Sequence, residues 1–554
     1  MNISQEINEA LNYRKAGDFE NAEKIWLDIL KKYPDNSKVL PFLGVLYYEM
    51  EKYQLALKYL EKAYKVNQNN VIIKTLAFSY FYLGKVSEAK KFLKLCTEFE
   101  KTPEVYNKLI TLMIVCDYDY RGAYKFSLEL YEKYPFDTEN IIHLSEICLH
   151  IGDFKNSASF CSKALALKPE YPKAWIQKGI LEEVLNLNDI EARKCFKKAL
   201  RLGDKQGAYH NLCINYSHSD REKSDYYGKK LLKMGELNGR NEIMYIMASN
   251  YLTRKKMKTG YKYLIHRCDN TTEDVCPYVK IIDEMKKEKA FEGESLFLLF
   301  DWGYGDQIMF SRYLPFAAEK FDKVIAMCDK HIINLFKRSF GYLKNVEFVL
   351  VKNDYPECGV SMLATHLPDA LNIPFDKIPF SGGYLAPDET KILKYKQKYF
   401  NIPKLKVGLC WQAGSCALRT LHNRSIGFES LNKLFELNNK IQFYSFQLKS
   451  VSSDKKTLEA QNVIDLSETI KDFDDTAALL KNIDILISVD TSVAHLAGAL
   501  GVKTFLFLPS FCEWRWFDNT EKTEWYDSIR IFKQINIKSC EDEIERMFNV
   551  LMHI

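Results

Sequence analysis

Two short stretches of the chain hold residue types at spacings that could do chemistry. The first is Asp490-Thr491-Ser492-Val493-Ala494-His495, which follows the apolar run at residues 483–489. That run reads as a buried strand, and a helix is expected to start at Thr491 or Ser492. The first amides of a helix have no partner within it and carry the positive end of its dipole. Such a start can hold a phosphate or diphosphate. Thr491 and Ser492 add hydroxyl donors, and Ala494, Ala497, Gly498 and Ala499 let the helix lie close to a sheet. The same pattern also fits a capped, buried helix with Asp490 or Thr491 as its N-cap. The second stretch is Gly303-Tyr304-Gly305-Asp306-Gln307, a glycine turn after the apolar run at residues 295–300 (SLFLLF). Asp306 is expected to open the next helix. Its carboxylate could take a proton from an attacking hydroxyl, or it could simply cap that helix.

Both stretches need strand ends to hold them. From about residue 292 onward, short apolar runs alternate with amphipathic segments. Strands are expected at 295–300, 323–328 and 346–351, with helices at 307–320 and 330–340. A polar, proline-bearing stretch at 374–403 separates these from a second set. There strands are expected at 406–411, 441–446, 483–489 and 504–508, and helices at 427–436, 475–481 and 492–500. Alternation of this kind implies parallel sheets in two doubly wound units joined by a linker. Ligands in such folds sit in the crevice beyond the carboxyl ends of the strands.

The first half repeats itself. Residues 3–36 read as helix, turn, helix, with Ala10, Tyr13, Gly17, Ala22, Trp26 and Pro34 at the marking positions. One period of about 34 residues later come Gly44, Tyr47, Ala56, Leu60 and Ala63. Ala77, Tyr80, Ala89, Leu93 and Cys96 mark the next unit, and Trp175, Gly179, Ala192, Phe196 and Ala199 a later one. Weaker copies lie between, around Ala123 and Pro135 and around Gly152, Ala164 and Pro169. Small residues let paired helices approach, large residues fill the remaining space, and proline stops each unit. Residues 1–204 resemble the tetratricopeptide repeat family, and 205–290 read as degenerate or capping helical repeats. The resemblance implies an α-solenoid whose concave face holds a protein or peptide partner; a spacer or dimerisation arm is the other reading.

The later motifs resemble the bacterial heptosyltransferase family of glycosyltransferases, in the branch fused behind tetratricopeptide repeats. The residues that carry the likeness are Gly305-Asp306 and Val489-Asp490-Thr491-Ser492-Val493-Ala494-His495. They are joined by Val407-Gly408-Leu409-Cys410-Trp411-Gln412, Asn423-Arg424-Ser425, Ser445-Phe446-Gln447 and Glu513-Trp514-Arg515-Trp516. The likeness implies an α/β GT-B fold of two Rossmann-like halves, at 291–402 (acceptor side) and 403–554 (nucleotide-sugar side). It implies transfer from a nucleotide-diphosphate sugar to a hydroxyl, with no metal and no further cofactor. By position, Asp306 would be the general base. Arg424, Asp490, Thr491, Ser492, Val493, His495 and Gln447 would bind the donor, with Gly303, Gly305, Gln412 and Gly414 in loops beside it. His495 would either orient the site or pack beneath it. The loop at 414–423 departs from the family pattern, so Arg419 or His422 could stand in for Arg424. Glu513 replaces the usual aspartate, and the first half is short. An acceptor Ser or Thr on a protein brought by the repeats is the expected substrate. A non-catalytic repeat scaffold with a degenerate sugar-nucleotide domain is the alternative.

Composition excludes other classes. The 554 residues are 47% apolar and 27% charged, with a net charge of +5 and no dense Lys/Arg block, so nucleic acid is not an expected partner. The 14 cysteines form no CxxC pair and read as small buried hydrophobes in a reducing compartment. The first residues lack the basic flank and apolar core of a secretory signal, and no apolar run approaches membrane-spanning length. A cytoplasmic protein is expected. Asp117-Tyr118-Asp119 and Asp472-Phe473-Asp474 look like metal-binding DxD motifs but read as solvated turn or cap residues.

Overall fold

The computed structural model describes residues 3–217, 219–235, 240–264, 295–300, 303–350, 360–373, 377–413, 424–448, 455–518, 521–536 and 539–554. The chain divides into two compact units, Met1–Ala208 and Tyr209–Ile554.

The first unit is a solenoid of helix pairs, from Ile3–Lys15 and Phe19–Lys32 through Pro172–Val184 and Asp189–Arg201. Each helix packs on the next in sequence. The pairing follows from the small-against-large pattern. A Cβ on Gly44 would lie 2.5 Å from Leu60 Cγ, and one on Gly179 would lie 2.3 Å from a Phe196 ring carbon. Ala22, Trp26, Ala56, Leu60, Ala89 and Leu93 are all buried at these contacts. Gly17, Gly84 and Gly152 take left-handed φ values (81°, 68° and 83°) after the first helix of a pair. The second helices often start on an acid cap: Asp18, Asp119 and Asp153 accept from the amides of Asn21, Gly122 and Asn156.

The second unit opens with helices. Arg221–Leu232, Arg240–Thr253 and Met257–Leu264 follow Lys205–Ser217, which straddles the division. Two parallel sheets come next. One holds β1 (Ser295–Leu299), β2 (Lys323–Cys328), β3 (Val346–Leu350) and β4 (Val360–Leu363) in the order β3-β2-β1-β4. The other holds β5 (Leu405–Cys410), β6 (Ile441–Ser445), β7 (Val463–Asp465), β8 (Ile485–Val489), β9 (Thr504–Leu508) and β10 (Ile529–Lys533) in the order β10-β9-β8-β5-β6-β7. Helices cover both faces, so the central strands β6, β8 and β9 are buried at every residue. That is why they read as mainly apolar runs with no polar face. The strand order reverses beside β1 in one sheet and between β5 and β8 in the other. Such switch points leave a crevice at the carboxyl ends.

Several sequence expectations need correction. The segment 307–320 is two helices, Tyr304–Ser311 and Leu314–Lys320. Pro315 fits the first turn of the second helix, where its missing N–H costs nothing, and could not sit inside a longer one. The first of these helices begins at Tyr304 with Gly303 as N-cap, so Asp306 lies inside the first turn and caps nothing. Strands β4, β7 and β10 and the final helix Glu541–Met552 were not expected from periodicity. Asp474 is not solvated: it is buried and paired with Arg338 and Lys391. Asp472 and Asp119 do act as helix caps. No helix among the described residues is long and apolar enough to cross a membrane. The described cysteines, Cys96 to Cys540, form no disulfide.

Candidate functional site

A cavity of about 870 Å³ opens where β1, β5, β6 and β8 end. Among the sequence-derived candidates, Gly303, Gly305, Asp306, Gln412, Arg424, Gln447, Asp490, Thr491, Ser492, Val493 and His495 all line it. Gly414, Arg419 and His422 lie outside the described residues. The lining also includes Asn241, Glu242 and Tyr245 from helix Arg240–Thr253, and Glu513 and Arg515 from the segment after β9.

The close approach of the two site helices explains a glycine. A Cβ on Gly305 would lie 2.8 Å from His495 Cδ2, so only glycine lets Tyr304–Ser311 reach the helix Ser492–Ala499. The latter starts straight out of β8. Its N-cap is Thr491, whose Oγ1 sits 3.5 Å from the Ala494 amide and 3.2 Å from Ser488 Oγ. Asp490 is therefore not the cap. Its carboxylate instead lies 3.6 Å from Arg424 Nη1, an ion pair, and 3.9 Å from His495 Nε2, both separations too long for a hydrogen bond.

His495 packs beneath the site. Its ring stacks on Trp516, with centroids 4.8 Å apart, and Nδ1 meets the Tyr526 hydroxyl at 3.1 Å. Burial, reinforced by the positive charges of Arg515, Arg312 and Arg424, pushes its pKa down to about 3. The imidazole is neutral at any working pH.

Asp306 is buried, and its Oδ1 accepts from Arg515 Nε at 2.6 Å. The expected open carboxylate is thus one half of an ion pair. Arg515 Nη1 also donates to Glu513 Oε2 at 3.3 Å, and Tyr245 Oη donates to the same oxygen at 2.9 Å. Gln447 has a tying role: its Oε1 accepts from the Gln412 amide at 3.0 Å and its Nε2 donates to the Gln412 carbonyl at 3.3 Å. It pins the loop after β5 to the end of β6.

The described lining carries four carboxylates (Glu242, Asp306, Asp490, Glu513) against the guanidiniums of Arg424 and Arg515. Glu242 also pairs with His210 at 2.8 Å. The amides that begin helix Ser492–Ala499 and the Arg424 guanidinium together form the part of the wall suited to an anion. Among the described residues, no group of three or more His, Cys, Asp or Glu is arranged to hold a metal ion.

Sequence reasoning missed Arg515 and Tyr245 as site residues. Arg515 had a signal, a lone cation between Trp514 and Trp516 in an otherwise buried segment. Tyr245 had none, because only folding brings its helix to the strand ends.

Known proteins resemble the repeats, and one relative resembles most of the chain. A tetratricopeptide repeat family model matches residues 42–70. Protein FlbA of Caulobacter vibrioides is 22% identical over 551 residues, spanning 94% of this chain and 80% of FlbA. A tetratricopeptide repeat protein of Parabacteroides merdae has a solved structure that is 17% identical and covers 44% of this chain and 97% of its own, with a TM-score of 0.38. YrrB, described as a TPR protein with an unusual peptide-binding site, is 15% identical over 33% of this chain and 96% of its own, with a TM-score of 0.28. The N-terminal helical solenoid contains tetratricopeptide repeats.

Proposed function

We propose that the second unit is a GT-B glycosyltransferase that moves a sugar from a nucleotide-diphosphate sugar to a hydroxyl, and that the repeats recruit a polypeptide whose Ser or Thr is the acceptor. One observation carries this reading. The Asp306 carboxylate and the helix start at Ser492 face one cavity at the switch points of two parallel sheets. In the reaction, the acceptor oxygen bonds to the anomeric carbon and gives its proton to Asp306. The bond from that carbon to the diphosphate breaks, and the diphosphate leaves with the electron pair. The Ser492 and Val493 amides and Arg424 offset the charge that builds on it. The cavity aligns both partners, which supplies a large share of the rate. The repeats fit recruitment because tetratricopeptide arrays bind peptide or protein partners on their inner faces. The step from repeats to a protein acceptor is fold-level analogy. A cytoplasmic setting goes with the reading, since sugar nucleotides are made there.

A second reading, a scaffold with a relic sugar-nucleotide domain, draws on the Asp306–Arg515 pair and the excess of carboxylates around the cavity. Nucleotide release from ADP-, GDP- and UDP-sugars separates the two. The enzyme reading expects release by the wild type and a loss of roughly 10²–10⁴-fold in Asp306→Asn, the usual worth of a general base. Absence of release with every donor, together with no thermal stabilisation by any of them, would leave the scaffold. A bound donor at a hundred times its Kd adds about 2.7 kcal/mol.

A further inference from the structure

The cavity has a wall that comes from outside the α/β region. Helix Arg240–Thr253 precedes β1 by a long stretch of chain, yet it places Asn241, Glu242 and Tyr245 against the same space as Asp306. From Tyr245 a continuous polar chain runs to that carboxylate. The phenol donates to Glu513 Oε2 at 2.9 Å, the same oxygen accepts from Arg515 Nη1 at 3.3 Å, and Arg515 Nε donates to Asp306 Oδ1 at 2.6 Å. Tyr245 also interacts with Arg515 directly. Burial, then the negative charge of Glu513, push the phenol pKa up, so Tyr245 keeps its proton and remains a donor. Apolar contacts hold the same helix: Ala248 and Leu252, one and two turns on, are fully buried in the core that also contains Ile308 and Trp514.

We infer that Tyr245 is a positioning residue for Asp306, acting through Glu513 and Arg515. The physical reason is competition for one guanidinium. Arg515 is shared between the buried Asp306 and the part-exposed Glu513, and each carboxylate draws on the donors within its reach. With the Tyr245 hydroxyl in place, Glu513 has a second donor, and Arg515 can hold Asp306 at full contact. Without it, the part-exposed Glu513 loses its neutral protein donor and draws more on Arg515, and the guanidinium shifts away from Asp306. The carboxylate then samples orientations in which it no longer faces the acceptor hydroxyl. On this account the helical segment ahead of the strands is part of the catalytic unit. The inference rests on the transferase reading for its kinetic consequence, but not for its effect on Asp306 itself.

The test uses the full chain with Tyr245→Phe, which removes one oxygen and keeps the ring. With whichever of the ADP-, GDP- or UDP-sugars is turned over, kcat is expected to fall about tenfold while KM for the sugar nucleotide holds. In an Arg515→Lys background, or in Glu513→Gln if that variant does not fold, Tyr245→Phe should cost little further. Independently of turnover, carbodiimide with glycinamide labels carboxyl groups, and peptide mass spectrometry reads the label on Asp306. Tyr245→Phe should raise that labelling several-fold. If no sugar nucleotide is turned over but labelling rises, the transferase reading falls and the positioning role stands. If turnover is found while kcat and labelling both stay at wild-type values, the positioning role is overturned and the transferase reading is untouched. Additive losses in the double variants would also overturn it.

Discussion

At the scale of single residues, the site is governed by how few cations serve its carboxylates. Arg515 lies between Asp306 and Glu513 with a side chain only 12% exposed. Removing it leaves the buried Asp306 carboxylate without its charged partner, and such losses cost about 3–5 kcal/mol. Arg515→Gln should therefore lower the urea midpoint strongly, whereas Asp306→Asn, which keeps an acceptor for Arg515, should lower it far less. Equal effects would contradict the shared-guanidinium geometry. His495 supplies a pH signature. Its folded pKa is depressed to about 3, below the unfolded value of about 6.5. The unfolded chain therefore takes up the proton first as pH falls. Stability from this group is full above pH 6.5 and is lost on the way down to pH 3, by about 1.4 kcal/mol per pH unit. His495→Gln should flatten that part of the stability curve, measured by denaturant unfolding between pH 7 and pH 4. A curve as steep as that of the wild type would show that another group titrates there.

At the scale of elements, glycines decide which helices can meet. Gly498 sits under Tyr526, where a Cβ would lie 2.4 Å from the ring. Tyr526 in turn bonds His495. Gly498→Ala should push the ring off the helix Ser492–Ala499, at about 1–3 kcal/mol for overpacking, and alter the buried Trp516 fluorescence. In the repeats, Gly179→Ala meets the Phe196 ring in the same way. Its cost should fall on the first unit's unfolding transition and leave the second unit's transition in place. The helix starts were only partly readable. Thr491 as N-cap was among the sequence options, but Gly303 in place of Asp306 was not. Gly303 forms no side-chain cap bond, so it leaves no residue-type signal to read.

At the scale of the whole chain, the division at Ala208 and Tyr209 falls inside helix Lys205–Ser217, so a cut that spares the second unit lies ahead of that helix. A fragment of residues 204–554 keeps that helix whole, helix Arg240–Thr253 with its Tyr245–Glu513 bond, and the Lys255–Glu524 and Arg221–Asp518 pairs. A fragment of residues 291–554, cut where the sequence pattern changes, loses all three and uncovers the apolar surface that Ala248, Leu252, Tyr261 and Leu264 bury. The longer fragment should unfold cooperatively and remain monodisperse. The shorter one should aggregate or melt at a clearly lower temperature in scanning calorimetry.

What the sequence determined by itself was whatever local pattern encodes. The 34-residue spacing of small and large residues marks the repeats, because each helix pair buries the same stripe. The apolar runs at 295–300 and 483–489 mark central strands, because strands covered on both faces have no polar side. The strand-end positions of Asp306 and Asp490–His495 were legible from the pattern and Arg424 and Gln447 from the family resemblance alone; all of them line one cavity, as strand ends in parallel sheets converge on one crevice. Only the tertiary structure decided that Asp306 is ion-paired, that His495 is sealed under a tryptophan, and that Tyr245 closes the wall. Those contacts join residues up to 268 positions apart, and no periodicity within one segment can encode a partner that only packing brings near.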